Sequence, residues 1–216
     1  MADLTISNAA SLTATTVARG DLIPLVDVSA SAGSKGSNMT ITELAKSLVA
    51  QNLFIPAAAM IPRTTNGCGV NSSETSTNKV NYDSLDFDAA VAGGSEEKAQ
   101  FMLAMPSNYN AGTVTAKFHW TADSGSGGVV WALSGRAYAD DDALDTAQGT
   151  AQSVADTLLA AGDMHITAAT SAITIGGTPA ANRPVVFEVC RLNNDASDTL
   201  AVDARLLGVE ITFTAA

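Results

Sequence analysis

Between residues 113 and 142 the sequence runs TVTAKFHWTADSGSGGVVWALSGRAYADDD, and its apolar residues recur at every second position. Phe118, Trp120 and Ala122 alternate with Lys117, His119 and Thr121; beyond a Gly/Ser loop, Val129, Trp131 and Leu133 alternate with Val130, Ala132 and Ser134. A period of two marks strands with one face buried. The chain's only two tryptophans lie here, one on each strand. Each can bury a large apolar area, so the pair predicts the centre of a β core.

The rest of the C-terminal chain follows the same pattern. Strands are expected at 80–88 (VNYDSLDFD), 100–106, 113–122, 128–139, 153–160, 164–175 (MHITAATSAITI), 183–191 (RPVVFEVCR) and 204–214. Residues 108–112 read as a turn and 125–128 (GSGG) as a hairpin loop. The Ala and Leu of 153–160 equally fit a short helix, and 164–175 is bent near 169–171. In the last strand Leu207, Val209, Ile211 and Phe213 are expected to face in, with Glu210, Thr212 and Thr214 facing out. Eight antiparallel strands at this spacing predict a mainly β fold, an antiparallel β-sandwich of jelly-roll type. Periodicity does not separate a jelly roll from an immunoglobulin-like sandwich.

The N-terminal region reads differently. Residues 1–19 are small and polar, an arm that would order on a partner. A short strand at 21–29 (DLIPLVDVS) leads through a loop at 30–38 to a helix over 39–50. Thr40 is its N-cap, with Glu43 at capping-box spacing, and Ile41, Leu44, Ala45 and Leu48 share one face. This strand-loop-helix module is too small for a core of its own. Pro56 and Pro62 make 53–65 a linker, and 67–79 a polar loop. The expected organisation is an N-terminal module over 1–55 and a β-sandwich over 56–216.

Charge narrows the partners. The formal net charge is −11, and no basic run exists, so nucleic acid is not an expected partner. No window approaches a membrane span, and the N-terminus lacks a secretory pattern, so neither membrane insertion nor signal-directed export is expected. Charged residues make up 15% of the chain. That low share suits either subunit interfaces or a short-chain polar β surface.

No motif carries chemistry. Cys68 and Cys190 lie far apart, without metal-ligand spacing, and are expected to be free thiols. The run Asp140, Asp141, Asp142 lacks the spacing of a calcium loop, and 193–198 (NNDASD) reads as turn chemistry. His119 and His165 are isolated, and no Ser or Cys sits in a nucleophile context. GSGG at 125–128 lacks the Lys-Ser/Thr of a phosphate loop. Catalytic, cofactor and metal residues are accordingly none, and an enzyme with paired carboxylates in a cleft is not expected.

Two stretches resemble proteins of tailed-bacteriophage virions, of the fibre or decoration type. RGDLIPLVDVSASAGSKGSNMTITELAKSL, residues 19–48, is similar to a short module that begins many phage fibre proteins. YDSLDFDA, QFMLAMPSNYNAGTVTAKFHW, GVVWALSGRAY and SDTLAVDARLLGVEITF are similar to a β-sandwich domain of phage fibres, spikes and capsid-accessory proteins. The resemblance implies a non-enzymatic homotrimer on the virion, attached to other capsid or tail proteins through residues 1–55. It implies a short fibre, spike or capsid decoration, assembled in the bacterial cytoplasm. The alternative is a tail protein that recognises a host-surface glycan, with Tyr109 and Tyr138 as the exposed aromatics available to stack on sugar.

Overall fold

A computed structural model describes residues 22–25, 37–40, 50–89 and 95–215. The chain divides into two compact units, Met1–Val49 and Ala50–Ala216. In the first, β1 (Leu22–Leu25) pairs antiparallel with β2 (Ser37–Thr40), Leu22 opposite Thr40 and Pro24 opposite Asn38. In a two-stranded ribbon each strand is an edge, so proline is tolerated. The helix expected from Met39 does not begin there, because Met39 and Thr40 pair with Ile23 and Leu22. Its remainder over 41–49, the arm 1–19 and the rest of the predicted 21–29 strand lie outside the described residues.

The second unit is a β-sandwich. Its strands are β3 (Ala50–Pro56), β4 (Ile61–Pro62), β5 (Gly69–Glu74), β6 (Asn81–Phe87), β7 (Lys98–Ala104), β8 (Tyr109–Thr121), β9 (Gly127–Ala137), β10 (Gln152–Leu158), β11 (His165–Ile166), β12 (Pro184–Arg191) and β13 (Ala204–Ala215). One sheet runs β10-β9-β12-β7-β4, the other β11-β8-β13-β6-β5, with β3 also on β13. All these pairings are antiparallel. From β6 onward each connection changes sheet except that between β9 and β10, the wrapping expected of a jelly-roll-like sandwich.

The alternation of the 113–142 stretch produces the core. Phe118, Trp120, Trp131, Phe87, Phe187 and Phe213 are buried. Trp131 stacks on Phe118 at 5.8 Å and meets Phe87 edge-on at 5.1 Å. The two tryptophan strands lie in opposite sheets, so 125–128 is a crossover and not the hairpin loop expected. Gly125 and Gly127 take φ of 91° and 128° there, a conformation side chains resist.

The unit boundary falls at 49/50, not 55/56, because β3 is a strand of the sandwich: its seven residues pair with Gly208–Thr214 of β13. The expected linker therefore contains the last four residues of β3, a 3-10 turn at Ala57–Ala59 and β4; Ala50, expected to end the helix, begins β3, and the expected polar loop contains β5. Residues 109–112, read as a turn, belong to β8. In β13 a bulge between Leu206 and Gly208 shifts the alternation. Leu206 becomes buried and Leu207 only half-buried, while Val209, Ile211 and Phe213 face in as expected.

Only His165–Ile166 of the expected 164–175 strand forms a regular ladder. Beyond it, Thr167 N–H bonds Phe118 O, Thr170 N–H bonds Ala116 O, and Ile173 N–H bonds Val114 O. This segment spends three residues on every two of β8, which bends it. The Thr167 and Thr170 hydroxyls make up the difference by accepting the Phe118 and Ala116 N–H groups, each at 3.1 Å.

Candidate binding groove

Alternation along β7 sends Ala99 and Phe101 into the core and leaves Lys98, Gln100 and Met102 on the outer face of the five-stranded sheet. Glu188 of β12 lies opposite Gln100 on the same face. A carboxylate inside the apolar run VVFEVC needs partners once buried, and Glu188 is only 8% exposed. It accepts from Gln100 Nε2 at 2.8 Å, Lys98 Nζ at 3.1 Å and Arg63 Nη1 at 3.4 Å. Arg63 is placed by β4, whose Ile61 and Pro62 pair with Gln100 and Ala99.

Above this network the surface is concave. One lobe of about 580 Å³ is lined by Arg63, Gln100, Met102, Glu188, Tyr138 and Gln148, among others. A second, of about 470 Å³, shares Arg63, Gln100, Met102 and Val186 with it and extends to Ile61. The far wall of the first lobe is the 138–148 segment, whose shape is set by turn chemistry. Asp142 accepts the Ala139 N–H at 2.7 Å, the Tyr138 hydroxyl donates to Leu144 O at 3.0 Å, and Arg136 Nη1 donates to Ala147 O at 3.1 Å. The Asp140–Asp142 run is thus an exposed turn that supports the groove wall.

Other residues singled out in the sequence fall elsewhere. Tyr109 and Tyr138, expected to be exposed, are 3% and 8% accessible. Tyr109 donates to Gly112 O and packs on Phe213, and burial pushes its pKa up. Both rings are buried, so neither offers a stacking face. His119 points out of the six-stranded sheet against Phe54, ring centres 5.0 Å apart. Burial lowers its pKa, with Glu210 opposing and Lys117 adding to the shift. His165 points inward, against Trp120, and shares a hydrogen bond with Ala160 O. Adjacent in register, the two histidines occupy opposite faces.

The 193–198 segment is a turn with a second role. Asp198 N–H bonds Asp195 O at 2.9 Å, while the Asp198 carboxylate accepts from Arg191 Nη2 at 2.7 Å and Nε at 3.0 Å. Cys68 and Cys190 are free and buried, and burial pushes both thiols up to about 12. Among the described residues no group of three His, Cys, Asp or Glu is placed to hold a metal ion. Sequence reasoning missed the Glu188 network because its partners lie 88 to 125 residues away. The available signal was the lone glutamate in a buried strand.

No protein-family model matches the chain, and no curated protein matches it. Among solved structures it is similar to an isomalto-dextranase of Arthrobacter globiformis T6, at 19% identity over 74% of this chain, TM-score 0.43. It spans 23% of that enzyme's length. It is also similar to the CBM22-2 xylan-binding domain of Paenibacillus barcinonensis Xyn10C, at 13% identity over 75% of this chain and 99% of that domain, TM-score 0.42. A third likeness is to infectious bursal disease virus, Gx strain, at 12% identity over 90% of this chain and 38% of that one, TM-score 0.35. These are distant likenesses, and the functional reading rests on the residues of this chain.

Proposed function

We propose that the chain is a non-enzymatic structural protein of a bacteriophage virion, displayed on the particle as a trimeric short fibre, spike or capsid decoration. The observation that carries this reading is the division at 49/50. The 19–48 stretch that resembles a fibre attachment module ends where the first unit ends, and the sandwich follows whole. In this reading the first unit attaches and the second is displayed. The single buried carboxylate of the groove supports the non-enzymatic part, since both Glu188 oxygens are committed to donors. Light scattering on the full chain is expected to give about 66 kDa, three times 21.9 kDa. Antibody to the sandwich is expected to label particles purified from a lysate. A monomeric mass overturns the trimer, and unlabelled particles overturn the virion role.

A second reading is favoured by the groove itself: the sandwich recognises a glycan on the host surface. A concave site with a few fixed polar groups beside apolar side chains is the usual form of a ligand site.

A further inference from the structure

We infer that the groove on the outer face of the five-stranded sheet binds an uncharged, linear saccharide lying across β4, β7 and β12. The inference rests on the glycan-recognition reading and adds the place and the ligand class.

Shape is the first reason. The two lobes, about 470 and 580 Å³, share Arg63, Gln100, Met102 and Val186. They therefore form one trough from Ile61 at the sheet edge to Leu144 on the opposite wall. Each lobe alone is within the range of small-ligand sites. A trough of two joined lobes suits several sugar units in a row better than one compact molecule.

The lining is the second. A pyranose presents C–H faces and a rim of hydroxyls, so its site needs apolar contact and hydrogen-bonding groups that both give and accept. Met102 is 67% exposed and lies beside half-buried Val186, with Ile61 and Leu144, 72% and 76% exposed, at the two ends. These supply the apolar contact that buried Tyr138 cannot. Gln100 commits its Nε2 to Glu188 and keeps its amide oxygen as an acceptor. Arg63 commits Nη1 and keeps its other N–H donors. Glu188, buried beneath them, holds Gln100, Lys98 and Arg63 in place before any ligand arrives, which lowers the ordering cost of binding.

Charge selects the class. Glu188 pairs with both Arg63 and Lys98, and Asp145 is a further carboxylate in the lining. Counted together, Arg63 and Lys98 against Glu188 and Asp145 leave the trough no net positive charge to hold an acidic sugar. The chain as a whole carries −11, which repels acidic polymers.

The test uses the full chain in affinity gel electrophoresis. Soluble dextran, arabinoxylan and β-1,4-galactan serve as neutral probes and polygalacturonate as the acidic one. At least one neutral polymer is expected to retard the protein, and raising salt to about 1 M should leave that retardation unchanged. The double variant Gln100→Ala, Met102→Ala is expected to weaken binding about tenfold or more, the loss of one hydrogen bond and its apolar neighbour. Met102 is exposed, whereas Gln100 is half-buried and donates to Glu188, so the urea midpoint is measured alongside. Met102→Ala alone leaves the Glu188 network intact and is expected to weaken binding at an unchanged midpoint, with Thr115→Ala on the other sheet as the matched control. Absence of retardation by every neutral polymer overturns the inference and the glycan reading, leaving the virion role to the labelling experiment. Retardation that the double variant does not weaken removes the groove and spares the glycan reading. Preferential binding of polygalacturonate, lost in salt, overturns the ligand class.

Discussion

Arg191 is the residue with most at stake. It ends β12 on the core-facing side, opposite Trp131, with its side chain 1% exposed. Its guanidinium donates twice to Asp198 and also to Phe87 O, Leu200 O and Val202 O. One side chain thus ties together the ends of β6 and β12, the 193–200 turn and the approach to β13. Removing one member of such a pair leaves a buried charge without compensation. Asp198→Ala is expected to destabilise the sandwich by about 3–5 kcal/mol, read as a lower urea midpoint at unchanged slope. A change below about 1 kcal/mol, the size of a surface pair, would mean that the three carbonyls alone satisfy Arg191. In the sequence both Glu188 and Arg191 were visible as charges within an apolar strand. Their partners were not, because each is supplied by a separate stretch of chain brought in by the fold.

At the scale of elements, Gly208 of β13 sets how closely the edge strand β3 can lie. Gly208 is opposite Pro56 and next to the ring of Phe54; a Cβ there would meet Phe54 Cζ at 2.3 Å and Ile55 O at 2.8 Å. Glycine lets β3 lie close against β13. Gly208→Ala is expected to cost about 1–3 kcal/mol, the usual cost of overpacking. Adding Phe54→Ala should recover only part of it, since the Ile55 carbonyl still blocks the Cβ. Full recovery would show that the ring alone sets the spacing. Element recognition followed the same physics. Strands β6 to β10, β12 and β13 were legible because each presents an alternating or continuous apolar face. Strand β3 was hidden by Pro56, which costs nothing at a strand end on a sheet edge. In β5, GVNSSE, the inward positions are polar and only half-buried, so no periodicity marks it. The three-for-two pairing of 167–173 with β8 has no period-two signature at all.

For the whole molecule, the position of the boundary decides which fragment can stand alone. Cutting at 55/56, where the prolines suggest a linker, removes most of a strand. Strand β3 covers one edge of β13 over Gly208–Thr214 and contributes Ile55, 8% exposed, and Leu53, which packs on the core. Each of those side chains is worth about 1.5–3 kcal/mol when fully buried, against a total stability of about 5–15 kcal/mol for a domain. The bared edge would also be open to pairing between chains. The fragment 50–216 is therefore expected to unfold in urea at the same midpoint as the sandwich in the full chain. The fragment 56–216 should unfold at a clearly lower midpoint or aggregate. Equal midpoints would mean that β3 belongs functionally to the first unit and only rests on the sandwich. Should the full chain be the proposed trimer, the fragment 50–216 locates its contacts: if it keeps the same number of copies, the sandwich holds the oligomer. If it falls to a monomer while still folded, the contacts lie in the first 49 residues, and attachment and assembly share one small unit.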